Sequence, residues 1–135
     1  MSFELSSFGE KIITNCGASE SFGKNPEYLR YSAAHSTIIL QNTNISEIKE
    51  NNPHIKFPQS VKFNLYSNEN ITTFDGSHNG YLKKFNKITK RRLIIDNKNS
   101  KISGEDSIIS LTNRSDRIIF HIRFHLVDGV SLNFT

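Results

Sequence analysis

The chain has 135 residues, enough for one domain over 1–135 with a real core, and 10 Phe within a 36% hydrophobic content supply the material for it. The 17 Lys and Arg against 13 Asp and Glu leave a net charge of +4, which is low for a nucleic-acid protein of this size and only hints at an acidic partner. The single cysteine, Cys16, excludes an internal disulfide, and its place between Asn15 and Gly17 suits a turn or core residue better than a nucleophile. No stretch has the basic start and apolar run of a signal peptide or the length of a membrane span, so neither a membrane nor a nucleic acid is expected as partner.

In chain order, Phe3-Glu4-Leu5 reads as strand from almost the first residue. Ser6 to Gly9 reads as a turn and Glu10 to Asn15 as the returning strand of a hairpin. A loop follows from Cys16 to Arg30, with a helical turn near Pro26 to Tyr31 and Pro26 at its start. Ser36 to Leu40 is a third strand, Gln41 to Ser46 is turn-like, and Glu47 to Pro58 is an irregular loop with two prolines. Val61 to Ser67 alternates, with Val61, Phe63 and Leu65 on one side and Lys62, Asn64 and Tyr66 on the other. Asn68 to Asn70 turns it into Ile71 to Gly76, a second hairpin.

Asn79-Gly80 is a strong turn signal, here in a longer loop expected to present His78 and Tyr81. Ile88 to Asp96 is a basic strand, and Lys101 to Leu111 continues as strand with a bulge or bend at Gly104-Glu105-Asp106. Asn113 to Asp116 turns the chain again. From Ile119 to Leu126, Phe120, Ile122, Phe124 and Leu126 alternate with Ile119, His121, Arg123 and His125. One face of that strand is expected to build core, while the other carries imidazoles and a guanidinium, together with Arg91 and Arg92 a cationic sheet face. The same alternation describes an ordinary half-solvated strand, and pattern alone favours that reading. Asp128-Gly129 is a further turn and Val130 to Phe134 a last strand.

Many short strands joined by Asn, Asp and Gly turns, with no sustained helical period, predict an all-β chain, an antiparallel β-sandwich. Both ends fall in apparent strands, so the sandwich is expected to be incomplete at both ends, a piece cut from something larger.

Seven short motifs occur in one order. They are Ser2-Phe3-Glu4-Leu5-Ser6, Ile13-Thr14-Asn15-Cys16-Gly17, Ala33-Ala34-His35-Ser36-Thr37 and Ser77-His78-Asn79-Gly80-Tyr81, then Lys90-Arg91-Arg92-Leu93, Gly104-Glu105-Asp106 and Arg123-Phe124-His125-Leu126. Each is weak alone. Together, over essentially the whole chain, they resemble the C-terminal β-sandwich domain of heparinase II/III-like proteins. The resemblance implies polysaccharide lyases of the periplasm or cell envelope, which cleave uronic-acid chains such as glycosaminoglycans by β-elimination. In these enzymes a helical toroid joins the sandwich and the substrate lies between the two. The reaction must neutralise a carboxylate, remove the C5 proton with a base and protonate the leaving oxygen.

The departures bear on activity. The family's His-x-His-x-Asp segment, source of a catalytic His and a metal ligand, precedes the Ser-Phe-Glu-Leu stretch and is not in this sequence. The catalytic Tyr of the toroid is likewise outside it. Asn15 stands where some members carry an Asp metal ligand, Thr89 stands where close relatives carry a His, and the family's last strands fall beyond Thr135.

By resemblance, His35 is the leading site candidate, as substrate contact or metal ligand, against the alternative of a buried His bonded to a backbone carbonyl. His78 and Tyr81 are candidates to face sugar, or else idle turn residues. Arg91, Arg92 and Arg123 suit a substrate carboxylate through paired donors, with structural pairing to Glu105 and Asp106 as the competing role. No cofactor is expected of this chain. Zinc belongs to the intact family, and one arguable ligand does not hold it. The expected partners are an acidic polysaccharide and a helical toroid carried on a separate chain. The expected function is therefore that of a lyase sandwich inactive alone. The alternatives are a non-catalytic module that binds acidic carbohydrate and completes a separate toroid, or a decayed product with open strand edges prone to dimerise.

Overall fold

A computed structural model of the chain describes residues 1–17, 26–48, 57–112 and 116–134. Nine strands occur in the described residues, and every ladder between them is antiparallel, as the sandwich expectation requires. The chain divides into two compact units, Met1 with Lys56–Arg117, and Ser2–Ile55 with Ile118–Thr135.

The first unit is a four-stranded meander of β4 (Val61–Ser67), β5 (Ile71–His78), β6 (Lys87–Asp96) and β7 (Lys101–Ser110), in that order. Short polar turns set its register. Asn68 accepts the backbone N–H groups of Asn70 and Ile71 at 3.0 and 2.8 Å, closing the β4–β5 hairpin as an Asx turn. Asp96 accepts from the backbone N–H of Asn99 at 3.0 Å and from its amide nitrogen at 2.8 Å, closing β6–β7.

Between β5 and β6 lies a one-turn helix, α1 (Leu82–Phe85). Asn86 ends it in the left-handed conformation (φ 54°), which Asn tolerates better than most residues. The expected bulge at Gly104-Glu105-Asp106 is absent. Pairing of β6 with β7 runs unbroken from Lys87↔Ser110 to Asp96↔Lys101. Gly104 serves packing instead, since a Cβ there would come within 3.2 Å of the Leu93 side chain on the opposite strand.

In the second unit β1 (Leu5–Ser7), β2 (Glu10–Thr14) and β9 (His125–Leu126) form one sheet, and β3 (Ile38–Leu40) and β8 (Phe120–Ile122) another. Phe8 and Gly9 both take positive φ (51° and 85°), the geometry of a tight hairpin turn between β1 and β2. A 3-10 turn spans Pro26–Arg30, near the expected position, and a second spans Ser32–Ala34. The core strand is β3, where Ile38, Ile39 and Leu40 are all buried, and Leu29 of the first 3-10 turn is buried too.

The expectation for Ile119 to Leu126 is corrected in two ways. It is not one strand: β8 pairs with β3 and β9 with β2. At the break, the Arg123 N–H donates to the Thr37 carbonyl (3.2 Å) and the His125 N–H to Ser36 Oγ (3.2 Å). The segment thus crosses from one sheet to the other, as strands at sandwich corners do. Its apolar row is also not core, since Phe120, Ile122 and Phe124 are exposed. Phe124 instead meets Phe3 edge to face, with ring centroids 6.0 Å apart. Val130 to Phe134 forms no strand. Most of the expected turn at Asn113 to Asp116 and much of the loops at Cys16 to Arg30 and Glu47 to Pro58 lie outside the described residues.

Candidate functional site

Residues opposite one another in an antiparallel ladder share a sheet face. In the first unit this places His78 beside Thr89, and in the next row Gly76, Arg91 and Asp106. The Arg91 guanidinium grips Asp106 through two bonds, Nε to Oδ1 and Nη2 to Oδ2, both 2.7 Å, and its Nη1 donates to the Met1 carbonyl at 3.0 Å. The Arg91 side chain is 1% exposed. Of the two acids weighed against a substrate role, Asp106 is the partner.

His78 is buried. Its Nδ1 accepts the Gly80 backbone N–H at 3.1 Å, which fixes the proton on Nε2, and Nε2 lies 2.9 Å from Thr89 Oγ1. Burial pushes its pKa down to about 4, with the charge of the N-terminal ammonium adding to the shift. Tyr81 is fully buried, its ring 5.7 Å from His78 and 6.1 Å from Phe85. The loop expected to present His78 and Tyr81 therefore does not present them. His78 closes β5, and Tyr81 caps α1 from inside.

Arg92 follows Arg91 in the strand and so points to the opposite face. The expected common cationic face of Arg91 and Arg92 does not form. Arg92 pairs with Asp75, Nε to Oδ1 at 2.6 Å and Nη2 to Oδ2 at 3.2 Å, and remains exposed. The Arg92 guanidinium holds the Asp75 carboxyl below its ordinary range. Asp75 was not among the sequence candidates. Its place opposite Arg92 depends on the β5–β6 register, which passes through α1 and has no signature in local sequence.

The second unit gathers His35, Asn15, Ser36 and His125. Asn15 Oδ1 accepts the Ser36 N–H (3.1 Å), and Asn15 Nδ2 donates to the Phe3 carbonyl (3.3 Å). His125 Nε2 donates to the Ala33 carbonyl at 2.9 Å. His35 is half-buried. Burial lowers its pKa, a bond to the Leu29 backbone opposes that, and nearby His125 lowers it further. Arg123 and His121 are exposed.

These residues do not fit a zinc ion. The Asn15 amide is bonded at both ends, His125 is committed to a carbonyl, and the described residues hold no group of three His, Cys, Asp or Glu able to bind a metal.

The family model for the heparinase II/III-like C-terminal region matches residues 1–135, the whole chain. The chain belongs to this family. No curated protein and no solved structure matches it. Membership in a heparinase II/III-like, polysaccharide lyase family fits the all-β fold. Within this heparinase II/III-like domain, the candidate residues divide by surroundings. His78, Tyr81, Arg91 and His125 are spent on internal contacts, whereas Arg92, Arg123 and part of His35 face solvent.

Proposed function

We propose that the chain is the β-sandwich part of a polysaccharide lyase that cleaves uronic-acid-containing chains by β-elimination, and that it does not turn over substrate by itself. The family match over its whole length supports the first half. In support of the second half, the buried His78 has both ring nitrogens occupied, by the Gly80 N–H and the Thr89 hydroxyl, which removes this imidazole as a base for a substrate proton. Arg123 and Arg92 remain suited to a uronate carboxylate, the latter by exchanging Asp75 for substrate. His35 serves as a substrate contact rather than a metal ligand. The test is ultraviolet absorbance of unsaturated uronate when the pure chain is mixed with acidic polysaccharides. No rise is expected, and steady turnover proportional to protein overturns the reading.

A second reading, a non-catalytic module that binds acidic carbohydrate and completes a toroid on a separate chain, is favoured by the polar face of the four-stranded sheet. There Lys62 and Lys90 flank Ser77 in one row, and Arg92 lies in the next. It predicts binding of uronic-acid oligosaccharides that weakens with salt and in Lys90→Ala and Arg92→Ala.

A further inference from the structure

β4 is an edge strand of the meander, and its outer side carries no hydrogen bond from any described residue. The hairpin ends fix which of its backbone groups point outward. The Asn79 N–H donates to the Ser60 carbonyl (3.1 Å) and the Asn68 N–H to the Ile71 carbonyl (2.9 Å). Antiparallel pairs alternate between bonded and non-bonded positions. The backbone groups of Lys62, Asn64 and Tyr66 therefore face β5, and those of Val61, Phe63, Leu65 and Ser67 face outward.

The side chains on this edge are unusually bare. Val61, Phe63, Leu65 and Tyr66 are 61%, 69%, 63% and 63% exposed. Proteins guard open edges with charge, proline or bulges. The opposite edge, β7, carries Lys101, Glu105 and Asp106. β4 carries only Lys62, has no proline, and pairs with β5 without a bulge.

We infer that β4 pairs with β4 of a second copy of this chain, antiparallel about a two-fold axis at Asn64. In this register all seven residues of the strand overlap. Phe63 stands opposite the second copy's Leu65, Val61 opposite its Ser67, and Lys62 opposite its Tyr66. The outward N–H and C=O groups of Phe63 and Leu65, and of Val61 and Ser67, bond reciprocally. Apolar side chains meet on the face that carries Phe74 and Leu93, and the Lys62 ammonium meets an aromatic ring on the polar face. A shift of two residues either way shortens the overlap and sets Lys62 beside an Asn instead of Tyr66. The two sheets become one continuous sheet. The partner is a second copy because the strand is complementary to itself in this register.

Sedimentation velocity over a concentration series tests the pairing, and crosslinking tests the register. The chain is expected to form a species of twice its 15.4 kDa mass. Leu65→Pro removes an outward N–H while sparing the β4–β5 bonds, so it should abolish the dimer and keep the fold. Phe63→Lys does the same by charge, and decides the question if the proline variant fails to fold. In a Cys16→Ser background, Asn64→Cys places two thiols at a non-bonded pair, where Cα atoms lie about 4.5 Å apart, within disulfide reach. It should crosslink at least about tenfold faster than Lys62→Cys or Tyr66→Cys, which the axis keeps apart. A monomer at every concentration, a dimer untouched by both β4 substitutions, or equal crosslinking at the three positions overturns the inference.

Discussion

Arg91 and Asp106 form a bidentate ion pair across β6 and β7, with the arginine side chain 1% and the aspartate side chain 12% exposed. Such a pair contributes little net stability against an apolar substitute, but breaking one half strands a buried charge. Arg91→Ala and Asp106→Ala are each expected to destabilise the chain by about 3–5 kcal/mol in urea titrations, whereas the paired change Arg91→Met with Asp106→Leu recovers most of that loss. If Arg91→Ala melts like the wild type, the structural role assigned to the pair is wrong.

The pH dependence of stability should carry the signature of His78. Its folded pKa is about 4 against an ordinary value of 6.5, so between these values the unfolded chain binds more protons than the folded one. Stability is therefore full above pH 6.5, falls as pH drops below it, and has lost ~3 kcal/mol from this group by pH 4. His78→Gln should lower stability by a constant amount and flatten the slope over that window. An unchanged slope contradicts the burial-driven shift.

Thr37 Oγ1 is buried with no hydrogen-bond partner among the described residues. Thr37→Val keeps the shape and removes the unpaired hydroxyl, so it should be neutral or stabilise by up to about 1 kcal/mol. A clear loss of stability would reveal a partner for that oxygen.

Asn15 bridges two segments with both ends of its amide, accepting from Ser36 and donating to Phe3. Asn15→Asp keeps the acceptor but sets a carboxylate oxygen against the Phe3 carbonyl. A loss of about 1–2 kcal/mol at neutral pH is expected, easing as the acid is protonated. Increased stability at neutral pH on adding zinc to this variant, absent in the wild type, would show instead that the pocket accepts a metal once a carboxylate is restored.

The meander was legible because its signals are local. The alternation of Val61 to Ser67 and the Asn68 to Asn70 turn lie within one hairpin, and the structure keeps both. The separation of Arg91 from Arg92 was also available, since neighbours in a strand point to opposite faces. The pairing of Arg92 with Asp75, by contrast, depends on a register set across α1. The division of Ile119 to Leu126 was not legible either. Its alternation continues through Arg123 and Phe124, but hydrogen bonds that the Arg123 and His125 N–H groups donate to Thr37 and Ser36, distant in sequence, draw the backbone from one ladder into another. His78 and Tyr81 sit in a polar stretch with a Gly turn, the usual mark of exposure, and their burial comes from packing with α1 and β6.

Under the proposed function, the buried ionisable residues hold the fold and the exposed ones are available to an acidic polysaccharide. Calorimetric titration of one uronic-acid oligosaccharide into the wild type, the paired Arg91→Met and Asp106→Leu variant, and Arg92→Ala tests it most directly. Wild-type binding by the paired variant and weaker binding by Arg92→Ala are expected. A folded paired variant that no longer binds, with Arg92→Ala unaffected, would contradict it.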